Sequence, residues 1–255
     1  MNIVFVDDLK KIYIDDKYLN KTDIDTSRWH SKTSFMDEFI KKNKNDYAHF
    51  YGEFSFRIFC LNNLRKRIEG KYLSNLDILG GVGVTARLFE THKMHSYVND
   101  LDEDCYNILK DNFINVYKDD MYKFPYKAEG YDLIFVDFNN YTLKKYLTEY
   151  KDLTSSVFQK ANKYVIINDC SVYYTNYGKK SFDYYAKILN QTVTNREELF
   201  KAFKKFYKEM YPDWSLIAVE HFYKSSYLLF QKVDNESLDV NFNDRKNFKN
   251  LLKIS

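Results

Sequence analysis

Leu76-Asp-Ile-Leu-Gly-Gly-Val-Gly-Val-Thr-Ala-Arg-Leu-Phe89 reads as a short buried strand that passes through a glycine turn into an amphipathic helix. Three of the chain's seven glycines, Gly80, Gly81 and Gly83, fall within four residues. Glycine reaches positive φ without steric cost and lets a ligand approach the backbone. Past the turn, Val84 and Leu88, like Thr85 and Phe89, stand four apart, the spacing of one helix face. A helix opening there points free N–H groups and a positive dipole end at a carboxylate or phosphate. Taken alone, the same residues also describe a tight strand–helix turn with no ligand.

Downstream, strand and helix patterns alternate, which implies a mostly parallel sheet covered on both faces. Ser96-Tyr-Val-Asn-Asp100 reads as the second strand, and Asp100 falls seventeen residues after Gly83, where an acid at a strand end can accept both ribose hydroxyls. Asp102 suits a helix N-cap, with Cys105, Ile108, Leu109 and Phe113 as that helix's buried side. Ile114 to Tyr117 is the expected third strand. Tyr131-Asp-Leu-Ile-Phe-Val-Asp137, apolar almost throughout, reads as a central fourth strand that delivers Asp137 to the carboxyl edge of the sheet. Leu143 to Phe158 traces an amphipathic helix, and Tyr164 to Asp169 a fifth strand. The loop Cys170 to Gly178 holds three tyrosines, whose faces can stack on a base or merely pack. From Asn195 a helix carries Leu199, Phe203, Phe206 and Met210 on one side and a solvated stripe of Lys201, Lys205 and Lys208 on another. Leu216–Phe222 and Tyr227–Val233 then form an antiparallel hairpin.

Strands ending in glycine or acidic signatures, in this order, resemble the class I S-adenosylmethionine-dependent methyltransferases over residues 76 to 233. The family's glycine motif is an acidic residue followed by alternating glycines; Asp77, Gly81 and Gly83 fit it, with Leu79 in place of the first glycine. The resemblance implies a Rossmann-like, seven-stranded, mostly parallel α/β sheet with a C-terminal antiparallel hairpin, and S-adenosylmethionine as cofactor. It implies a cofactor set of Asp77, Gly80, Gly81, Gly83, Asp100, Leu101, Asp120 and Met121. Asp100 corresponds to the ribose-binding acid and Asp120-Met121 to the adenine-binding position. Asp137 matches the first residue of the motif that reads Asp/Asn-Pro-Pro-aromatic in amino-methylating members. Here the stretch is Asp137-Phe-Asn-Asn-Tyr141, without either proline, and Asp137, Asn139, Asn140 and Tyr141 are the catalytic candidates. No cysteine lies in this loop, so covalent attack on a pyrimidine ring is not supported.

Two other readings compete. Gly81-Val-Gly-Val-Thr-Ala86 also satisfies the dinucleotide fingerprint, with Asp100 on the ribose. Asp77 has no role toward a pyrophosphate, and a terminal hairpin replaces the second mononucleotide half, so a dehydrogenase is the weaker reading. The other is a catalytically silent methyltransferase fold, kept to bind cofactor, nucleic acid or a protein partner.

The expected organisation is an N-terminal elaboration or lid over 1–72, a cofactor-binding domain over 73–233 and a polar tail or last short helix over 234–255. Within the first part, Asn2–Val6 and Lys11–Ile14 suggest a hairpin, and Tyr47–Glu53 is placed to cover a pocket. Phe56, Cys60, Leu64 and Ile68 form an apolar helix face closed by Gly70. Arg57, Arg65, Lys66 and Arg67 line its other side. That basic face, the Asn99-Asp-Leu-Asp102 run and the aromatic loops lean the substrate toward nucleic acid. Of the 255 residues, 45% are hydrophobic and 29% charged, with a net charge of +3, which neither demands nor excludes a polyanionic partner. The three cysteines, widely spaced, suit a reducing compartment and no structural zinc site. Without a signal peptide or a membrane-length apolar run, a cytoplasmic protein is expected.

Overall fold

The central strands of the sheet are apolar on both faces, and helices pack on each. The computed structural model describes residues 60–81, 83–123, 129–137, 149–169, 179–222, 225–233 and 241–245. A helix, α1, occupies 60–65 within them. It precedes β1 (Ser74–Asp77), α2 (Val84–Thr91), β2 (His95–Asn99), α3 (Glu103–Asn112), β3 (Asn115–Tyr117) and β4 (Tyr131–Val136). Then follow α4 (Lys151–Lys160), β5 (Ala161–Asp169), α5 (Lys179–Leu189), α6 (Arg196–Met210), β6 (Trp214–Phe222), β7 (Ser225–Lys232) and β8 (Asn241–Arg245).

The strands form one sheet in the order β3-β2-β1-β4-β5-β7-β6-β8. β1 pairs in parallel with β2 and β4, β2 with β3, and β4 with β5. β7 runs antiparallel to both β5 and β6. The seven expected strands are present, including the reversed one. The polar segment expected as a tail or short helix instead adds an eighth strand, β8, parallel to β6. A polar sequence suits an edge strand, because only one side of it has to pair. Helix α5 has no counterpart in the sequence reading.

One face of the sheet, with Ile134, Val136, Val165, Ile167, Leu228 and Phe230, packs against α4, α5 and α6 through Val157, Tyr185, Leu199, Phe200, Phe203 and Tyr207. Phe158 anchors this side, stacked on Tyr211 at 4.0 Å and edge-on to Trp214 and Phe230. Met210, expected on the buried side of α6, is exposed; Phe200 and Tyr207 take the core instead. The other face presents Leu133, Phe135, Tyr164, Ile166, Tyr227 and Leu229 to α1 and α2, through Cys60, Leu61, Leu64, Leu88 and Phe89.

Caps set where helices begin. Asp102 accepts the Cys105 N–H at 2.9 Å, so the expected N-cap of α3 is present. Asn195 caps α6 by accepting the Glu198 N–H at 3.0 Å, and the Glu198 carboxylate reaches back past the cap to accept the Thr194 N–H at 2.7 Å. α2 is different: its N-cap is Gly83, in the left-handed region, with no side-chain cap. α1 gives way at Arg65 to a tightened turn in which the Arg67 N–H donates to the Leu64 carbonyl at 2.8 Å, before the expected stop at Gly70. No helix among the described residues is long and apolar enough to cross a membrane.

Candidate active site at the carboxyl edge of the sheet

β1 ends in the glycine turn, where the Gly83 N–H closes onto the Gly80 carbonyl at 2.8 Å. The three glycines do different work. A Cβ on Gly80 would lie 2.1 Å from Val98 Cγ1, and one on Gly83 would lie 2.4 Å from the Phe113 ring. Both are required by the packing of β2 and α3 against the turn. Gly81 has φ +53, and a Cβ there would meet nothing within 4 Å. It is the glycine that leaves the backbone open to a ligand. Beside it, Thr85 is buried, and its hydroxyl finds no hydrogen-bond partner among the described residues.

Asp100, at the end of β2, is half-buried and already engaged. Its Oδ2 accepts the Gly81 N–H at 2.8 Å and its Oδ1 the Asp102 N–H at 2.9 Å. Each carboxylate oxygen keeps a second acceptor position, so hydroxyls can still bind. Leu101 next to it is 58% exposed. Cys105, one turn into α3, has its thiol pushed up to about 12, first by burial and then by the charges of Asp100, Asp102 and Asp104. It stays protonated and inert at neutral pH.

Asn99 ties these parts together. Its Nδ2 donates to the Ile78 carbonyl at 3.1 Å and the Asp119 carbonyl at 3.0 Å, and its Oδ1 accepts the Asp119 N–H at 2.9 Å. One fully buried amide thus links the end of β1 to the loop after β3. Sequence reasoning noted Asn99 only as part of an acidic run. In that loop Asp120 Oδ1 accepts the Tyr122 N–H at 2.9 Å, opening the short 3-10 turn Met121–Lys123. Met121 is half-buried against the larger core.

Asp77 lies at the end of β1, 1% exposed, on the α2 side of the sheet, where a Cβ on Gly80 would stand 3.7 Å from its carboxyl carbon. On the same side, Asp137 follows β4 and is 8% exposed. The β4–β5 register ends with Val136 beside Ile167, which brings Asp137 opposite Asn168. The Asn168 Nδ2 donates to Asp137 Oδ1 at 2.5 Å. Asn168 stands beside Tyr227 on β7, and Tyr227 beside Glu220 on β6. A buried polar row therefore crosses four strands, and Asn63 of α1 reaches its far end, donating to Glu220 Oε2 at 3.4 Å. Asn168 and Glu220 were missed from sequence, because only strand register brings them into one row with Asp137.

Asn139, Asn140 and Tyr141 lie outside the described residues, as do the tyrosine loop Cys170–Gly178 and Tyr47–Glu53. The basic side chains sit elsewhere. Arg65 turns back on its own helix end, donating to the carbonyls of Ile68 at 2.6 Å and Gly70 at 3.4 Å. Lys201, Lys204, Lys205 and Lys208 line a shallow groove with Ser215, at the start of β6. Both places belong to the amino edge of the parallel strands, away from Asp100 and Asp137.

No family model matches the sequence, and a search of curated proteins finds no match. Among solved structures, the plantazolicin methyltransferase BpumL, in complex with SAH, is 14% identical with a TM-score of 0.48, covering 82% of this chain and 93% of its own. TrmN from Thermus thermophilus is 16% identical with a TM-score of 0.45 over 68% of this chain, which spans about half of it (48%). The strand order of this chain, β3-β2-β1-β4-β5-β7-β6 with β7 alone reversed, is that of a Rossmann-like methyltransferase fold.

Proposed function

We propose that this protein transfers a methyl group from S-adenosylmethionine to a nitrogen of a nucleic-acid base. The observation that carries the cofactor half is Gly81, open to a ligand and hydrogen-bonded to Asp100. The open backbone suits the cofactor's approach, Asp100 its ribose hydroxyls, and the buried carboxylate of Asp77 its ammonium group. Asp120 and Met121, in the loop after β3, are assigned to its adenine. When bound, the cofactor supplies a methyl group already activated on a sulfonium. What the chain must add is position: an acceptor held in line, and a group that orients it or takes its proton. Asp137 is that group, with Asn139, Asn140 and Tyr141 beside it in sequence.

Calorimetric titration with S-adenosylmethionine, S-adenosylhomocysteine and NAD tests the cofactor. Micromolar binding of the first two, weak binding of NAD and loss in Asp100→Ala are expected. Binding of NAD alone would overturn the reading in favour of a dehydrogenase. Asp137→Ala should abolish turnover with cofactor affinity nearly intact; a collapse of affinity would move Asp137 into the cofactor site. Turnover also separates the enzyme from a silent scaffold.

The placement of Arg65 and of the α6 lysines favours a second reading for the substrate, a molecule of nucleoside size in place of a polymer. A polymer held by phosphates loses affinity steeply with salt. Salt-insensitive binding would select the smaller substrate.

A further inference from the structure

We propose that the lysine groove of α6 is a docking surface for the phosphate backbone of a nucleic-acid strand, separate from the cofactor and acceptor edge. This goes beyond the methyl-transfer reading above and does not need it; of the two substrate readings it favours the polymer. Lys201, Lys204, Lys205 and Lys208 stand at i, i+3, i+4 and i+7, one stripe along the helix. Sequence alone gives such a stripe to solvent. In the structure it forms one wall of a groove of about 370 Å³, whose other described lining residues are Glu209 and Ser215. Lys204 and Lys208 are half-buried, while Lys201 and Lys205 are exposed.

The helix itself has little use for this arrangement. Lys201 with Lys205, and Lys204 with Lys208, are like charges four apart, which weaken a helix. Glu197 lies 2.7 Å from Lys201 and Glu209 4.0 Å from Lys205, but exposed pairs of this kind contribute little. Only Lys208, in the last turn, gains from the helix dipole. The neighbouring hairpin adds a further cation: Lys232, opposite Trp214 in register, holds its ammonium 5.8 Å from the centre of that ring.

Lysine is a point-charge partner for phosphate, yet it is depleted from protein–protein interfaces. A flat bilayer does not enter a groove. Lys201 to Lys208 rises about 10 Å along the helix, the axial span of about three successive phosphates on one strand. A mononucleotide cannot fill such a row. Ser215 stands at the amino edge, and β6 has nine residues, about 30 Å at roughly 3.3 Å each. The groove is thus a strand's length from the carboxyl edge, where it can hold the flank of a polymer without crowding Asp100 or Asp137.

Fluorescence anisotropy on the full chain, with labelled single-stranded RNA and DNA of about 20 nucleotides, tests this by affinity and by salt slope. Lys204→Gln with Lys208→Gln should weaken binding at least about tenfold at about 0.1 M salt, and flatten the log–log slope by about 1.4, two contacts at about 0.7 each. Lys204→Arg with Lys208→Arg keeps the charges and should restore both readouts. Lys93→Gln with Lys110→Gln, an equal loss of charge beside β2 and β3, should change affinity less than about threefold. Asp100→Ala should also stay within about threefold, since the two sites are far apart. No binding of either strand by the parent chain, an unchanged slope in the groove variant, or an equal loss in the β2–β3 pair overturns the proposal while the cofactor reading stands. A collapse in Asp100→Ala overturns it by placing the strand at the cofactor edge. Poly-glutamate binding as tightly as the oligonucleotides would hand the groove to an acidic protein segment, and capture by phosphatidylserine vesicles in place of them would hand it to a membrane; either result overturns it. Loss of S-adenosylhomocysteine binding in the parent chain would sink the cofactor reading and leave the groove untouched.

Discussion

The cofactor half of the sheet edge and the acceptor half are built by different means. Around the ends of β1, β2 and β3, the polar contacts run from side chain to backbone: Asp100 to Gly81 and Asp102, and Asn99 to Ile78 and Asp119. Backbone groups are the partners, so the course of the chain through the turns after these strands sets the geometry. Around β4, β5, β7 and β6, the contacts are side chain to side chain and span long loops, as between Asp137 and Asn168 or Asn63 and Glu220. Strand register sets that geometry, and a slip of one residue would move the whole polar row to the other face.

The sharpest way to break this comparison lies inside the glycine turn, where packing and ligand access occupy adjacent residues. Gly83→Ala places a Cβ 2.4 Å from Phe113 and 2.9 Å from Leu109, at φ +84. Left-handed strain and overpacking together should cost about 2–5 kcal/mol, read as a large fall in denaturation midpoint. Gly81→Ala meets no neighbour. It should cost only about 1–2 kcal/mol of stability, but weaken S-adenosylhomocysteine binding by at least about tenfold, since its Cβ occupies the approach to the backbone. Equal stability losses in the two variants would show that the turn is a packing device throughout.

Asn99→Ala comes next. It removes three hydrogen bonds and leaves the Ile78 and Asp119 groups without their partner. A loss of about 2–3 kcal/mol is expected from chemical denaturation. Cofactor affinity should fall with it, because the same amide fixes the Asp119–Asp120 loop. Unchanged affinity in a destabilised variant would separate the loop from the cofactor site.

The two halves also differ in how far the sequence discloses them. The glycine turn, the N-cap at Asp102, the strand endings at Asp100 and Asp137 and the C-terminal hairpin were all legible, because each is a local pattern with a local cause. Asn168 was not: nothing in Tyr164–Asp169 marks one polar residue as special until β4 is laid beside β5. Likewise Gly80, Gly81 and Gly83 look equivalent as letters, and only their neighbours separate the open one from the packed two. β8 escaped for a related reason, since its polar sequence has no alternation to announce it, and pairing with β6 is its main observed feature.

The smallest expected effect tests the joint between the halves, where α1 meets the end of α2. His92 pairs through Nε2 with Asn62 Oδ1 at 3.1 Å. Burial, and then the nearby charge of Arg65, hold its imidazole below the ordinary value of 6.5. In the unfolded chain the ring binds a proton more readily than in the folded one, so acid favours unfolding. The stability that His92 contributes as a neutral ring is therefore present above pH 6.5 and is lost as pH falls through its depressed folded value. Melting temperature should drop on going from about pH 7.5 to about pH 5.5, and drop less in His92→Gln, which keeps a donor for Asn62 without titrating. The difference is modest, because the ring is only half-buried and solvent screens much of the effect. An equal drop in both proteins would place the acid sensitivity elsewhere than in the ring that joins α1 to the end of α2.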